Sequence, residues 1–193
     1  MKETSLSVGI DLQSDYSQIS IYNYQGGEPV SVEFSGAERR YRVPTAISRM
    51  IGKDEWFMGD EAVNSVKLGE AVEIKDILKK AADKNPVTVE DTSVMPIELL
   101  AMFFNYLIQT AKLAARADSV GAVCVTLEDF NISVLNVAVK AMESIGISRD
   151  RLTLSSHDES FVYYALSQKP ELWKNDVYLF DYGRRGLPRS AST

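Results

Sequence analysis

Asp11 ends an alternating run in which Val8, Ile10 and Leu12 take one side and Ser7, Gly9 and Asp11 the other, just before the turn Gln13-Ser14-Asp15. A carboxylate at such a strand end could hold the waters of a magnesium ion, since hard cations prefer oxygen ligands, or could simply bond nearby amides. The turn could offer main-chain N–H groups to a phosphate. It lacks the glycine that lets a backbone approach a ligand closely, and Asp15 adds negative charge, so lost or weakened phosphate binding and a plain hairpin turn are the competing expectation. Lys75 shares a helical run, Ile74 to Ala82, with Lys79 and Lys80, and a solvated basic face accounts for all three. Ser156-His157-Asp158-Glu159 has the spacing of a capping box, with Glu159 reaching back to the Ser156 amide. His157 is the single histidine and has no second histidine or cysteine near it in sequence, which leaves a metal centre or a Cys/His nucleophile pair unsupported.

The elements that must carry these residues follow from hydrophobic spacing. The first run, a second around Ile19 and Ile21, and a third with Val30, Val32 and Phe34 read as a three-strand antiparallel meander, the last two joined by Gln25-Gly26-Gly27-Glu28. Two brief extended pieces, Arg42 to Ile47 and Trp56 to Gly59, precede helices at Asp60–Leu68 and Ile74–Ala82 and a polar surface loop after Asp83. Pro96 opens the longest helix, to about Ala117, apolar nearly all round and therefore central. Strand and helix then alternate: Gly121–Thr126, continuously apolar as in a strand covered on both faces; a helix Asp129–Ile145 stopped by Gly146; a strand Leu152–Leu154; a helix Ser156–Ser167; and a strand Val177–Asp181. Trp56-Phe57-Met58 and the pair Tyr163-Tyr164 read as fillers of core or subdomain contacts.

Composition narrows the function. The 193 residues carry a net charge of −6, and because Arg184, Arg185 and Arg189 fall in the last ten residues without an acid, the remainder carries −9. So acidic a body repels phosphodiester backbones, and no nucleic-acid partner is expected. The single cysteine, Cys124, lies in the apolar run Val120–Leu127 and reads as a buried thiol in a reducing compartment. No apolar run reaches membrane-spanning length and Met1 to Ser5 lacks a signal-peptide core, so a cytoplasmic protein with no membrane partner is expected.

The order of elements, opened by Gly9-Ile10-Asp11-Leu12, resembles the actin-like ATPase superfamily that includes actin and sugar kinases, and within it the heat-shock chaperone ATPases of the DnaK type, whose first strand ends Gly-Ile-Asp-Leu-Gly-Thr-Thr. Val43-Pro44-Thr45-Ala46-Ile47 looks like the family's Thr-Pro-Ser-Val-Val, and Met58-Gly59-Asp60-Glu61-Ala62 like its Val-Gly-Asp-Ala-Ala. Glu73 to Leu78 is similar to its segment with a phosphate-facing lysine. Ala122 to Phe130 resembles Ala-Val-Ile-Thr-Val-Pro-Ala-Tyr-Phe, and Leu179-Phe180-Asp181-Tyr182-Gly183 looks like Val-Phe-Asp-Leu-Gly.

The resemblance implies an α/β, ribonuclease-H-like lobe with a mixed sheet, residues 1–183, with a subdomain-like insertion at 36–95. Residues 176–183 would open an absent second lobe, and 184–193 would form a disordered or cloning-derived tail. It implies ATP and magnesium as cofactors of the parent protein, neither held tightly by this chain. Asp11 and Asp181 would face the metal through water, Lys75 the terminal phosphate, and Asp158 or Glu159 would be the acid lining the cleft, Asp158 being the better candidate because capping accounts for Glu159. Gln13, Ser14, Asp15 and Gly183 would belong to the phosphate loops. The expected function is the N-terminal half of a chaperone-like ATP-binding protein, not competent alone because catalysis by positioning and charge stabilisation needs both lobes. The alternatives are a degenerate, non-hydrolysing interaction scaffold with the same fold and a ribonuclease-H-like nuclease, which would need further carboxylates converging on Asp11. The expected partners are the second lobe or another copy meeting the orphan strand Val177–Asp181.

Overall fold

The computed structural model describes residues 5–23, 27–34, 39–83, 85–172, 174, 177–180 and 189–192. The first alternating run is β1 (Ser5–Leu12), with Leu6, Val8, Ile10 and Leu12 buried on one face. β2 (Tyr16–Asn23) returns antiparallel, setting Ile19 opposite Ile10, and β3 (Val30–Ser31) adds antiparallel to β2, so the expected meander is present. β4 (Arg42–Pro44) pairs with another stretch of β2, so the segment expected as an insertion contributes a strand to the main sheet. β5 (Ile47–Met50) is flanked by β6 (Trp56–Met58) and, after α1 (Gly59–Lys67), by β7 (Ala71–Ile74) in a small antiparallel sheet. Gly59 is required at the start of α1: its φ is +61°, and a Cβ there would fall 2.6 Å from Val43 Cγ2.

Three readings of the middle region change. Ala71–Ile74 is a strand, and α2 (Ile77–Asp83) begins later than expected, which puts Lys75 in the connecting turn and not on a helix. The expected polar loop is a hairpin, β8 (Val87–Val89) and β9 (Thr92–Val94), whose two strands, β-branched but for Ser93, enclose Glu90-Asp91. Glu90 takes the left-handed φ of 55° that turn signals usually reserve for Gly or Asn, which is why the hairpin escapes a reading by turn residues.

α3 (Pro96–Ala115) opens as expected on proline, with the Glu98 carboxylate accepting from the Met95 amide at 3.1 Å. Phe103, Phe104 and Leu107 are fully buried in one hydrophobic core with the apolar face of the sheet. β10 (Ser119–Leu127) pairs parallel with β1, α4 (Ile132–Ser144) follows, and β11 (Leu152–Ser156) pairs parallel with β10. The main sheet thus runs β11-β10-β1-β2-β3, with β4 also on β2, and the protein is mixed α/β with parallel and antiparallel pairs. β10 is apolar-covered on one face only. A register shift at Gly121 sets Val123, Val125 and Leu127 inward, while Ala122, Cys124 and Thr126 lie half-buried on the other face.

That second face carries α5 (His157–Ser167), which has no buried residue. Tyr163 and Tyr164, expected to fill core or subdomain contacts, are 66% and 63% exposed, while Ser160 and His157 of α5 hydrogen-bond to the sheet. β12 (Val177–Phe180) pairs antiparallel with β13 (Arg189–Ser192), so one edge of the strand expected to be orphaned is paired within the chain. Arg189–Ser192 were expected to lie outside the fold as part of the tail; pairing there uses main-chain groups and needs no apolar alternation.

Candidate functional site

Register brings the site together. Leu12 lies level with Leu127, and Leu127 with Ser156, so the residues that follow these three ends emerge side by side at the carboxyl edge of adjacent parallel strands. This edge is where parallel sheets gather ligand groups. Ser156 caps α5, its Oγ accepting from the Glu159 amide at 3.1 Å, and this places His157 at the first helical position. The Glu159 carboxylate accepts from Ser155 Oγ at 3.0 Å instead of closing the expected capping box. Ser160 bonds Thr126 Oγ1 at 3.0 Å and Ser155 Oγ at 3.1 Å, fastening α5 across two strands.

Both oxygens of Asp11 have partners. Gln13 Nε2 donates to Oδ2 at 2.9 Å, and His157 Nε2 lies 2.9 Å from Oδ1. Ser14 donates to Oε2 of Glu128 from its main-chain N–H at 3.3 Å and from its Oγ at 2.9 Å. Beside this cluster opens a cleft of 540 Å³ lined by Ser14, Asp15, Thr45, Glu73, Lys75 and Asp76 among others. Lys75 is 74% exposed and pairs with Glu73 at 3.6 Å. On the other side of Ser14, Lys79, Leu127, Glu128 and Val134 help to line a smaller cavity of 100 Å³.

The structure therefore gathers Asp11, Gln13 and Ser14, and sets Asp15 and Lys75 along the adjoining cleft. Asp158 is exposed in the first turn of α5, and its neighbour His157 is the residue that reaches Asp11. Asp181 and Gly183 lie outside the described residues. Glu128 and His157 escape a reading by residue type alone. Counting residues past the ends of β1, β10 and β11 would have found both, but only with the parallel register in hand.

The surroundings of Asp11 do not fit a magnesium ion. A hydrated magnesium presents O–H donors and calls for oxygen acceptors. Asp11 instead meets an amide nitrogen and an imidazole nitrogen, and among the described residues no three His, Cys, Asp or Glu side chains are grouped to hold a metal. The turn fits a phosphate no better, since the Ser14 amide already serves Glu128.

Cys124, on the same face of the sheet, is half-buried and not fully buried as expected. Burial, and secondarily the Glu159 charge, pushes its thiol pKa up, so near neutral pH the thiol stays protonated and a poor nucleophile. Iodoacetamide at pH 8 should alkylate native Cys124 at least about ten-fold more slowly than the urea-unfolded chain. Equal rates would show that the thiol is neither shielded nor perturbed.

The chain is thus a mixed α/β protein whose candidate site sits at the carboxyl edge of its parallel strands. Residues 28–190 match the family described as "Family of unknown function (DUF5716) C-terminal", and the chain belongs to that family. Glu128 and His157 lie within the matched span, Asp11, Gln13 and Ser14 before it, and the span includes most of the segment 184–193. No curated protein matches the chain. Among the described residues no helix is long and apolar enough to cross a membrane.

Proposed function

We propose that this chain is a lobe of actin-like, ribonuclease-H-like architecture that has lost nucleotide chemistry and serves as an interaction scaffold. One observation carries the reading: the groups that would meet metal and phosphate bond to one another, Asp11 to Gln13 and His157, and Ser14 to Glu128. The acidic lining of the adjoining cleft, Asp15, Glu73 and Asp76 against Lys75, adds repulsion toward a triphosphate. A scaffold also needs an outward surface, and Val162, Tyr163, Tyr164 and Leu166 of α5 offer one, with the second lobe of the fold as the expected partner. Calorimetric titration with ATP and magnesium should give no binding tighter than about 1 mM, a free energy of roughly −4 kcal/mol. Micromolar affinity would overturn the scaffold reading.

A second reading, the N-terminal lobe of a chaperone-like ATPase, is favoured by the convergence of Lys75 and the Ser14-Asp15 turn on one cleft. In that case Asp181 and Gly183 would complete the site from the second lobe, and ATP binding by a two-lobe protein would decide for it. The nuclease reading gains no such support, since the bonded neighbours of Asp11 are Gln13 and His157 and not further carboxylates.

A further inference from the structure

Ser14 directs two donors, its main-chain N–H and its hydroxyl, at a single oxygen of Glu128. Paired donors converging on one anionic oxygen form a grip for an anion, and a charged acceptor strengthens both bonds. Here the anion is a side chain 114 residues away along the chain. It stands at the end of the neighbouring parallel strand, where the pairing of Leu12 with Leu127 holds it level with the turn. No mobile element is needed to bring it there.

We propose that Glu128 is a built-in occupant of the Ser14 turn, a latch that excludes phosphate groups from a position the main chain would otherwise offer them. The proposal rests on the scaffold reading and names the residue that enforces it. The latch acts by occupying donors and not by tipping the local charge. The other acids lining the two cavities that meet at Ser14, namely Asp15, Glu73, Asp76, Asp83 and Asp129, outnumber Lys75 and Lys79 with or without Glu128. With Glu128 present, an incoming phosphate must in addition displace a carboxylate from both donors of Ser14. A ligand that can bind only when the latch is open loses affinity in proportion to the open fraction, so a latch closed 90–99% of the time masks roughly ten-fold to a hundred-fold of affinity.

The test uses inorganic pyrophosphate as the probe and the Ser14 amide ¹H–¹⁵N resonance as the readout. In the wild-type chain this resonance should not move through the low millimolar range. In Glu128→Ala it should titrate, with affinity at least about ten-fold above wild type. Glu128→Gln keeps the shape and a neutral acceptor, so it should fall between the two, and it carries the test if the alanine variant fails to fold by circular dichroism. A folded variant no more responsive than wild type, or a wild-type chain that binds pyrophosphate as tightly as Glu128→Ala, would overturn the latch. The outcome is separable from the ATP titration: tight ATP binding by wild type refutes the scaffold reading, whereas an indifferent Glu128→Ala refutes only the latch.

Discussion

Phe104→Ala should lower the unfolding free energy by about 3–5 kcal/mol, the usual cost of emptying a buried aromatic site. Phe104 is fully buried on α3, beside the equally buried Phe103 and Leu107 and in one core with the buried side chains of β1 and β10. Helix and sheet both hold the walls of the resulting cavity in place, so little collapse is available to offset the loss. Domain stabilities run from about 5 to 15 kcal/mol, so the variant should be left marginal. Its melting temperature should fall by roughly 6–20 °C for a chain of this size. Urea unfolding followed by circular dichroism measures this directly. Leu113→Ala, on the same helix but 79% exposed, is the control and should stay within about 0.5 kcal/mol of wild type. A comparable loss in both variants would show that α3 does not bury the face described.

The second large effect lies at the hairpin that residue type did not reveal. Arg49 on β5 has a side chain only 7% exposed, and its Nη1 donates to Glu90 Oε2 at 2.9 Å. Its other acidic neighbours, Asp54 at 3.9 Å and Asp91 at 4.0 Å, are 83% and 93% exposed and largely screened. Its Nε is buried without a hydrogen-bond partner, so the guanidinium has little to fall back on. Glu90→Ala should therefore cost about 3 kcal/mol, because it strands a buried cation. Arg49→Met should cost less, about 1 kcal/mol, since it fills the same space with an apolar stem and leaves a carboxylate that water can reach. Glu90→Gly removes the same carboxylate while suiting a φ of 55°, which separates the lost ion pair from the backbone contribution. Equal costs for Glu90→Ala and Arg49→Met in urea melts would show that the pair behaves as an exposed one.

Both regions indicate how legible the fold is in the residues. The alternation of Val8, Ile10 and Leu12, the Pro96 helix start and the Gly146 stop each rest on a local rule, and each stands where expected. The β8–β9 hairpin rests on a non-glycine residue held in the left-handed region by its surroundings, and β13 on main-chain pairing of a serine-rich segment; neither leaves a local signature. Tyr163 and Tyr164 look like core residues by type, but whether an aromatic is covered depends on what packs over it, and the two stand exposed.

The candidate site divides in the same way. Alternation placed Asp11 at a strand end and spacing alone marked the capped helix start at Ser156, because both rules act over a few residues, whereas the family resemblance singled out Asp11 and the Gln13-Ser14-Asp15 turn as site residues. What Asp11 and Ser14 bond to was settled only by the tertiary structure. Their partners, His157 and Glu128, are 146 and 114 residues distant. What unites them is the parallel register of β1, β10 and β11, a pairing of main-chain hydrogen bonds that no short stretch of side chains encodes.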